Sequence, residues 1–488
     1  MSSDGTCWPY QYPHLDLYFS TIPHTHERSI NMTSIHTINP ATEEILSQYP
    51  LMSQHEVDLL IQDMHQTQRS WAQSAFALRK QCLSHLARLL LDHKKRCATL
   101  ITTEMGKPIA QAIIEIEKCA KLCDYYAEQG EPFLKPQPIQ TEYYKSYRSF
   151  SPLGIIFAIM PWNFPFWQVL RFAVPNLMVG NAGLLKHAPN STGTALLIEQ
   201  LLLEAGFPKN VFRSLIIDVD LAPFVIHHAH VAGVTLTGSN PAGKSVASEA
   251  GAALKKVVLE LGGSDPYVIL EDADLERAAE QCVLSRLNNA GQVCIAAKRM
   301  IVVECVKSAF EALVLAKAKT YAMGDPQDSK TTLGPMARED LRAKLHDQVT
   351  RSIAAGARCL LGGTLPNRHG YYYPATVLTD ITVDSPAFHE ELFGPVICII
   401  GAKDEEQAMR LANATAFGLA SAIFTQDLEK GERLARDGIE AGTCAVNTLV
   451  ASDPRLPFGG IKQSGFGREL SMEGMHEFVN IKTVIVSR

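Results

Sequence analysis

Short apolar runs alternate with helix-like segments from Gly154 onwards, and this alternation restricts the fold more than any other feature of the sequence. The first series of strand-like runs comprises 155–160, 211–217, 231–237, 257–261 and 267–270. The second series comprises 300–303, 396–400, 422–425 and 445–447, and it alternates with helix-like segments at 305–320, 339–354, 404–414 and 428–438. Strands that alternate with helices favour parallel sheets with crossover helices. The pattern therefore predicts an α/β protein with two doubly wound layers, divided near Gly262-Gly263.

The segment before Gly154 shows helical periodicity instead of alternating strands and helices. Apolar positions recur at helical spacing over 54–72, 76–98 and 109–130, so we expect three helices there. Residues 1–33 are rich in His, Pro and Tyr and predict an irregular N-terminal extension.

Charge, hydropathy and cysteine content argue against several classes of function. The 45 Lys+Arg and 51 Asp+Glu give a net charge of −6, which disfavours binding to nucleic acid or to an anionic membrane. The longest apolar stretch, 153–162, is about half of the ~20 residues that a membrane-spanning helix needs. The eleven cysteines lack paired spacing, which is typical of reduced thiols in a cytosol-like compartment. We expect a cytoplasmic protein with no membrane or nucleic-acid partner.

Residues 238–245, Gly-Ser-Asn-Pro-Ala-Gly-Lys-Ser, match the phosphate-loop pattern of nucleotide hydrolases. However, Pro241 removes one backbone N–H from a loop whose N–H groups should bind phosphate. Nucleotide hydrolysis is therefore kept as a minor alternative. A turn that leads into a helix N-terminus can still receive a pyrophosphate.

Two other patterns do not support a site. The dinucleotide fingerprint G-x-G-x-x-G is absent, since the run that begins at Gly465 lacks the third glycine. The His-rich run at 227–230 has no Asp, Glu or Cys close by in the sequence, so we interpret it as a loop and predict no metal site.

Three residues are candidates for chemistry, each with a structural alternative. Cys294 follows the small-residue run at 289–291, which is unusual for a core cysteine, so it is a candidate nucleophile. Glu260 lies in an apolar strand end, where a carboxylate either has a structural partner or a raised pKa suited to a general base. Asn163 follows a strand, where it either forms a turn or offers an amide donor to an oxyanion.

These three residue types together indicate acyl chemistry. Asn163 and Glu260 follow or end strands, and ligands of open α/β sheets bind beyond the carboxyl ends of strands. A thiol nucleophile, a carboxylate base and an amide donor are the groups that a reaction through a thioester requires. The residues alone predict a covalent cysteine enzyme without defining its redox direction.

At these positions the sequence resembles the aldehyde dehydrogenase superfamily from about Ile38 to the C-terminus. The resemblance is carried, in order, by Pro161-Trp162-Asn163-Phe164-Pro165, Thr237-Gly238-Ser239, Leu259-Glu260-Leu261-Gly262-Gly263, Gly291-Gln292-Val293-Cys294, Glu390-Glu391-Leu392-Phe393-Gly394-Pro395 and Pro457-Phe458-Gly459-Gly460. It implies that Cys294 attacks the aldehyde, that Asn163 holds the oxyanion, and that Glu260 activates the water that hydrolyses the thioester.

The same resemblance implies a nicotinamide dinucleotide cofactor. Its expected binding residues are Trp162, Lys186, Gly238, Ser239, Glu391 and Phe393. NAD-preferring relatives often have a glutamate three residues after the lysine, whereas this chain has Pro189. The loss of that carboxylate removes repulsion against a 2′-phosphate, so either NAD or NADP is expected.

Within the superfamily the sequence is most similar to bacterial succinate-semialdehyde dehydrogenases, which implies a short aldehyde with a carboxylate at its far end. Arg171 and Ser452 match two anchors of that group. The third, an arginine six residues before the nucleophile, is replaced by Asn288, and Arg455 or Arg286 are candidate substitutes. A broad aldehyde dehydrogenase for neutral substrates and a non-catalytic nucleotide-binding protein remain as alternatives.

The resemblance also implies a domain organisation and an oligomer. We expect a dinucleotide-binding domain from 34–135 and 152–262, a catalytic domain from 263–470, and a β-flap from 136–151 and 471–488. The flap is expected to extend a neighbour's sheet in a homodimer or homotetramer, because an exposed edge strand favours pairing.

Overall fold

The computed structural model describes residues 33–488, so the predicted N-terminal extension lies outside the described residues except for its last position. The strands are β1 (Ser34–Ile38), β2 (Ile45–Pro50), β3 (Gln137–Pro138), β4 (Lys145–Pro152), β5 (Ile155–Met160), β6 (Ala182–His187), β7 (Phe212–Ser214), β8 (Val231–Thr237), β9 (Lys256–Glu260), β10 (Pro266–Ile269), β11 (Arg299–Val303), β12 (Arg358–Leu361), β13 (Thr376–Thr379), β14 (Val396–Ala402), β15 (Ala420–Phe424), β16 (Thr443–Val446), β17 (Gly465–Phe466) and β18 (Val479–Val486).

The α-helices between them are α1 (Gln54–Ala72), α2 (Phe76–Asp92), α3 (Lys94–Met105), α4 (Ile109–Phe133), α5 (Pro165–Val179), α6 (Thr192–Glu204), α7 (Ala222–His227), α8 (Asn240–Ala252), α9 (Leu275–Leu287), α10 (Glu304–Ala318), α11 (Glu339–Ala354), α12 (Pro386–His389), α13 (Glu405–Asn413), α14 (Leu428–Arg433) and α15 (Ser471–His476). The predicted α/β class is confirmed. Among the helices from residue 33 onwards, none has the length and apolar content to cross a membrane.

A six-stranded sheet forms the first layer, with the strand order β17-β9-β8-β5-β6-β7. All neighbours except the β17–β9 pair are parallel. The carboxyl ends of β5, β8 and β9 therefore lie at one edge of the sheet. Asn163 follows β5, Gly238 follows β8 and Glu260 ends β9, so the topology directs all three towards that edge.

A seven-stranded sheet forms the second layer, in the order β12-β13-β14-β11-β10-β15-β16. Its neighbours are parallel except for the outer β12–β13 pair. The chain passes from β9 in the first sheet to β10 in the second through Gly262-Gly263, where the sequence predicted the division. The domain boundaries stay a prediction.

Two smaller sheets complete the described fold. β1 and β2 form an antiparallel hairpin. In the three-stranded sheet β18-β4-β3, β18 pairs with β4 along its whole length, from Val479 opposite Pro152 to Val486 opposite Lys145. The outer strand β18 exposes Ile481 and Ile485, at 53% and 54% of their surface.

The second predicted helix needs a correction. The segment predicted as a single helix over 76–98 is divided into α2 and α3 at His93, whose φ and ψ of −99° and 13° leave the helical region. The division lets both pieces pack against α4. The apolar periodicity continues across the break, which is why the sequence pattern does not reveal it.

Helix α5 is buried along its whole length, so the polar groups at both of its ends need partners within the protein. At the N-terminus, Glu115 Oε1 accepts N–H bonds from Phe166 at 2.9 Å and Trp167 at 3.0 Å. At the C-terminus, Arg79 Nη1 donates to the carbonyls of Met178 at 3.2 Å and Val179 at 2.9 Å. Side chains from α4 and α2 thus satisfy free polar groups at the two ends of α5.

We predict that Arg79→Ala destabilises the fold. Besides α5, the Arg79 guanidinium donates to the carbonyls of Trp71 and Ala72 at the end of α1, at 3.0 and 2.8 Å, so truncation leaves four carbonyls without this donor. The expected loss is about 2–4 kcal/mol of unfolding free energy, measured by urea denaturation. The exposed Arg88 on the same helix gives the matched control Arg88→Ala, and equal stability of the two variants would contradict the prediction.

Candidate active site

Two cavities meet at Cys294. The first, of about 490 Å³, includes Trp162, Asn163, Gly238, Ser239, Glu260, Glu391 and Phe393 in its wall. The second, of about 330 Å³, includes Lys107, Lys118, Arg171, Asn288 and Ser452. Cys294 and Gln168 line both. The thiol therefore stands where a ligand in one cavity can meet a ligand in the other.

A strained turn positions Cys294. Asn289, Ala290 and Gly291 have φ values of 51°, 52° and 71°, three consecutive residues in the left-handed region. A side chain at Gly291 would overlap the carbonyl of Gly394, so only glycine fits that contact. Such strain persists only where surrounding structure enforces it. Here it brings the nucleophile from the end of α9 to the edge of the first sheet.

Hydrogen bonds connect this turn to Asn163. Asn289 Nδ2 donates to the Asn163 carbonyl at 2.8 Å, and Asn163 Nδ2 donates to the Gln292 carbonyl at 3.1 Å. Gln292 in turn accepts from the Ala337 N–H at 2.9 Å. An amide nitrogen has two hydrogens, and the bond to Gln292 uses one of them, so Asn163 keeps one donor for a ligand beside Cys294.

Glu260 is a buried carboxylate. Within residues 33–488 neither of its oxygens has a hydrogen-bond partner. Burial and the nearby Glu469 carboxylate raise the pKa of Glu260 well above its usual value, against the opposing charges of Arg171 and Arg468. A carboxylate in such a site is a strong base that is free to accept a proton.

Among the charged groups around Cys294, Lys298 has the largest effect on the pKa of the thiol. Burial raises the pKa of Cys294 to about 11, Lys298 and then Arg171 oppose that shift, and Glu260 and Asp265 add to it. Lys298 Nζ donates to the carbonyl oxygens of Val293, at 3.0 Å, and of Cys294. It also forms an ion pair with Glu391 at 3.2 Å. The same ammonium thus joins the nucleophile's loop to the wall of the larger cavity.

The larger cavity fits the predicted dinucleotide. Gly238, Ser239 and the first turn of α8 line it, so the positive end of a thirteen-residue helix is available to a pyrophosphate. Trp162 and Phe393 stand edge to face at 5.9 Å and provide an apolar wall for a ring. A side chain at Gly262 would overlap Glu391 Oε2, so the glycine leaves space for that carboxylate.

Lys186 and the phosphate-loop match are placed differently. Lys186 lies near the carboxyl end of β6 and is buried, and it is not among the residues that line the larger cavity. In the 238–245 segment, α8 already begins at Asn240, so most of the expected phosphate loop is helix. Because the helix replaces the loop, the segment does not support the nucleotide-hydrolase alternative.

The smaller cavity contains two of the three predicted substrate anchors. Arg171 and Ser452 line it, and Arg171 forms an ion pair with the buried Glu469. Arg455 is not among the lining residues; it is exposed and pairs with Asp453 at 2.7 Å. Arg286, the other candidate substitute, is buried in bonds to the carbonyls of Val396, Gly291 and Leu392.

The sequence did not predict a role in the site for four residues, which are Lys118, Asn289, Lys298 and Glu469. Each acts through a partner that is distant in the sequence, as with Lys118 and Ser452 or Glu469 and Arg171. Asn289 alone left a signal, since asparagine is enriched at positive φ and it precedes the small residues before Cys294.

A half-buried thiol, an amide donor and an unpaired carboxylate lie around a dinucleotide-sized cavity on an α/β scaffold, and these are the groups that a covalent cysteine enzyme of the dehydrogenase type requires. The comparisons with known proteins specify the family. The sequence pattern of the aldehyde dehydrogenase family matches residues 26–484, and the chain belongs to this family.

Individual relatives are similar over nearly the whole chain. The chain is 48% identical to the succinate semialdehyde dehydrogenase [NAD(P)+] Sad of Escherichia coli K12, over 92% of this chain and 97% of that protein. It is 45% identical to a probable succinate-semialdehyde dehydrogenase [NADP(+)] of Synechocystis, over 93% and 100%. The crystal structure of succinic semialdehyde dehydrogenase from Streptococcus pyogenes in complex with NADP+ superposes with a TM-score of 0.91 at 37% identity, covering 93% and 100% of the two chains.

We predict that alkylation of Cys294 depends steeply on pH and on Lys298. Because the pKa of the thiol is about 11 and only the thiolate reacts, alkylation by iodoacetamide rises about tenfold per pH unit between pH 7 and 10. Lys298→Met removes the opposing charge, raises the pKa further and slows the reaction roughly three- to tenfold at each pH. Mass spectrometry of the Cys294 peptide measures the rate.

The exposed Lys319 provides the control variant Lys319→Met, which should alkylate like the unmodified protein. A rate that does not change with pH, or one that is the same for both variants, would show that Lys298 does not act on the thiol.

Proposed function

We propose that this chain oxidises a short aldehyde with a carboxylate at its far end, succinate semialdehyde, to the dicarboxylic acid with NAD or NADP. One observation carries the proposal: Cys294 lies at the junction of a dinucleotide-sized cavity and a smaller cavity lined by cations. The relatives named succinate semialdehyde dehydrogenase support the choice of substrate.

The first step is addition of Cys294 Sγ to the aldehyde carbon. The thiol gives up its proton to solvent, the thiolate sulfur forms the C–S bond, and the carbonyl π electrons move to the oxygen, which becomes an oxyanion. The free hydrogen on Asn163 Nδ2 and the Cys294 N–H are the proposed donors to that oxyanion. Its stabilisation lets the tetrahedral adduct release hydride from the same carbon, which leaves a thioester on Cys294.

The nicotinamide dinucleotide supplies the hydride acceptor when bound. We assign it to Trp162, Gly238, Ser239, Glu391 and Phe393 of the larger cavity, with Lys186 towards its adenosine end. Pro189 places no carboxylate near Lys186, so no charge of that residue repels a 2′-phosphate.

Hydrolysis of the thioester regenerates the thiol. Glu260 accepts a proton from a water molecule as the water oxygen attacks the thioester carbon. The C–S bond breaks, the carboxylic acid leaves, and the proton passes to Cys294 or solvent. The raised pKa of Glu260 favours this role, because it makes the carboxylate a better proton acceptor at neutral pH.

At the far end of the substrate we place Arg171 and Ser452. Both line the smaller cavity, whose other wall includes the uncharged Asn288. Arg455 points away to Asp453, so its side chain would have to leave that ion pair to contribute.

The three-stranded sheet β18-β4-β3 supports a homo-oligomer. The outer edge of β18 has no neighbouring strand in the described fold, and an exposed edge that bears Ile481 and Ile485 favours pairing with a second copy.

The cysteines support a cytoplasmic location. All ten cysteines in the described part of the chain are free, as expected in a reducing compartment.

We predict that purified protein reduces NAD or NADP with succinate semialdehyde at a kcat/KM at least tenfold above that for butanal, a neutral aldehyde of the same length. Absorbance of the reduced nicotinamide measures the rate for each aldehyde with each cofactor. Equal rates for both aldehydes would instead support a broad dehydrogenase for neutral substrates.

Two variants in the same assay separate the steps. Cys294→Ser should abolish aldehyde-dependent reduction, whereas Glu260→Gln should give one equivalent per site and then turn over about 10²–10⁴-fold more slowly. Glu271→Gln, at an exposed glutamate, is the control.

We also predict that light scattering gives two or four times the 53.6 kDa of one chain. Aspartate at both Ile481 and Ile485 should shift the protein towards monomer, because two charges at the interface repel the paired copy. An unchanged mass in the double variant would place the interface elsewhere.

A further inference from the structure

The smaller cavity contains three cationic side chains, and two of them are neutralised. Lys107 forms an ion pair with the buried Glu115, and Arg171 forms one with the buried Glu469. Lys118 makes no ion pair with any carboxylate in the described part of the chain. The positive charge available to a ligand in this cavity therefore comes from Lys118.

The surroundings of Lys118 orient its ammonium into the cavity. It lies on α4, whose residues Gln111, Ile114, Glu115 and Lys118 face the cavity at helical spacing. Its Nζ donates to Ser452 Oγ at 2.6 Å and stands 4.0 Å from the centre of the Trp167 ring. An ammonium has three hydrogens, so two remain for a ligand next to the Ser452 hydroxyl.

The cavity holds this charge at an energetic cost that a bound anion would offset. Burial lowers the pKa of Lys118 to about 8, Arg171 adds to that shift, and Cys119, Glu115 and Asp453 oppose it. Near pH 7 the ammonium is mostly charged and only partly solvated. A carboxylate placed between Lys118 and Ser452 would gain a charge-assisted hydrogen bond and relieve the unbalanced charge.

We propose that Lys118, with Ser452, binds the far carboxylate of the substrate and so determines the preference for an ω-carboxyl aldehyde. Lys118 thereby supplies, from a different element, the charge that Asn288 does not provide at its own position. Arg171 remains a contact at the far end of the substrate, but its charge is already balanced by Glu469. The inference rests on the proposed function, since it names the residue that selects the proposed substrate.

The test compares succinate semialdehyde with butanal in the full-length enzyme with saturating cofactor. Lys118→Met, of similar length and no charge, should lower the ratio of the two kcat/KM values about 10- to 100-fold, mainly through the KM for succinate semialdehyde. Lys118→Arg should retain most of the ratio. The exposed Lys121, one turn along the same helix, gives the control Lys121→Met, whose ratio should not change.

The pH dependence of the same ratio provides a second readout. Lys118 is charged below its pKa of about 8, so the ratio should be greatest below pH 7 and fall as the pH rises through 8 to 9. Ionisation of Cys294 and Glu260 affects both aldehydes and cancels. Lys118→Arg should keep the ratio constant to about pH 10, because arginine stays protonated there.

The results distinguish failure of the inference from failure of the proposed function. If the unmodified enzyme prefers succinate semialdehyde and Lys118→Met keeps that preference, Lys118 is not the anchor while the function stands. If the unmodified enzyme shows no preference, both are overturned. A selective fall in the ratio that Lys118→Arg restores and Lys121→Met does not reproduce supports the assignment.

Discussion

The buried Glu115 carboxylate is the interaction on which the active site depends. It accepts the first free N–H groups of α5 and pairs with Lys107, so a helix that is buried at both ends has its N-terminal amides satisfied. Asn163 lies just before that helix and Arg171 within it, so this cap contributes to the position of both. Because Glu115 belongs to α4, the same bond also brings Lys118, almost one turn further on, to the cavity wall.

Several charged side chains in the interior have partners, and Glu260 and Lys118 differ from them. Lys107, Arg171 and Lys298 each have a carboxylate partner, and Arg79, Arg286 and Arg299 are satisfied by carbonyl oxygens. A buried charge without such partners costs several kcal/mol. In the site, Glu260 has no hydrogen-bond donor and Lys118 has no counter-ion among the described residues. One is suited to accept a proton, and the other to receive an anion.

The sequence was sufficient for the scaffold and indicated candidate reacting groups, and it was insufficient for the groups that act through tertiary pairing. Apolar periodicity predicted the main strands and the division at Gly262-Gly263, because burial of parallel strands leaves a local signal. Cys294 and Asn163 were recognisable from their place on turns after regular elements. The pairing of Arg171 with Glu469 was not, since nearly three hundred positions separate the two residues and neither lies in an unusual local pattern. Arg455 was an expected anchor for the opposite reason: its sequence position is close to Ser452, but its side chain turns to Asp453.

Whether the sequence indicates a residue of the site depends on where that residue lies in the fold. The residues proposed for the chemistry lie at strand ends and on a strained turn, where backbone geometry leaves few alternatives. Gly291 cannot carry a side chain against Gly394, and Glu260 ends a strand paired on both sides. The substrate selection that we propose for Lys118 depends on one face of α4, where residues at helical spacing line the smaller cavity. A cation can therefore move from the loop before the nucleophile to a helix that is distant in sequence without disturbing the reacting groups. If the proposed roles hold, motifs around Cys294 indicate the reaction, whereas the charge balance of the smaller cavity indicates the substrate.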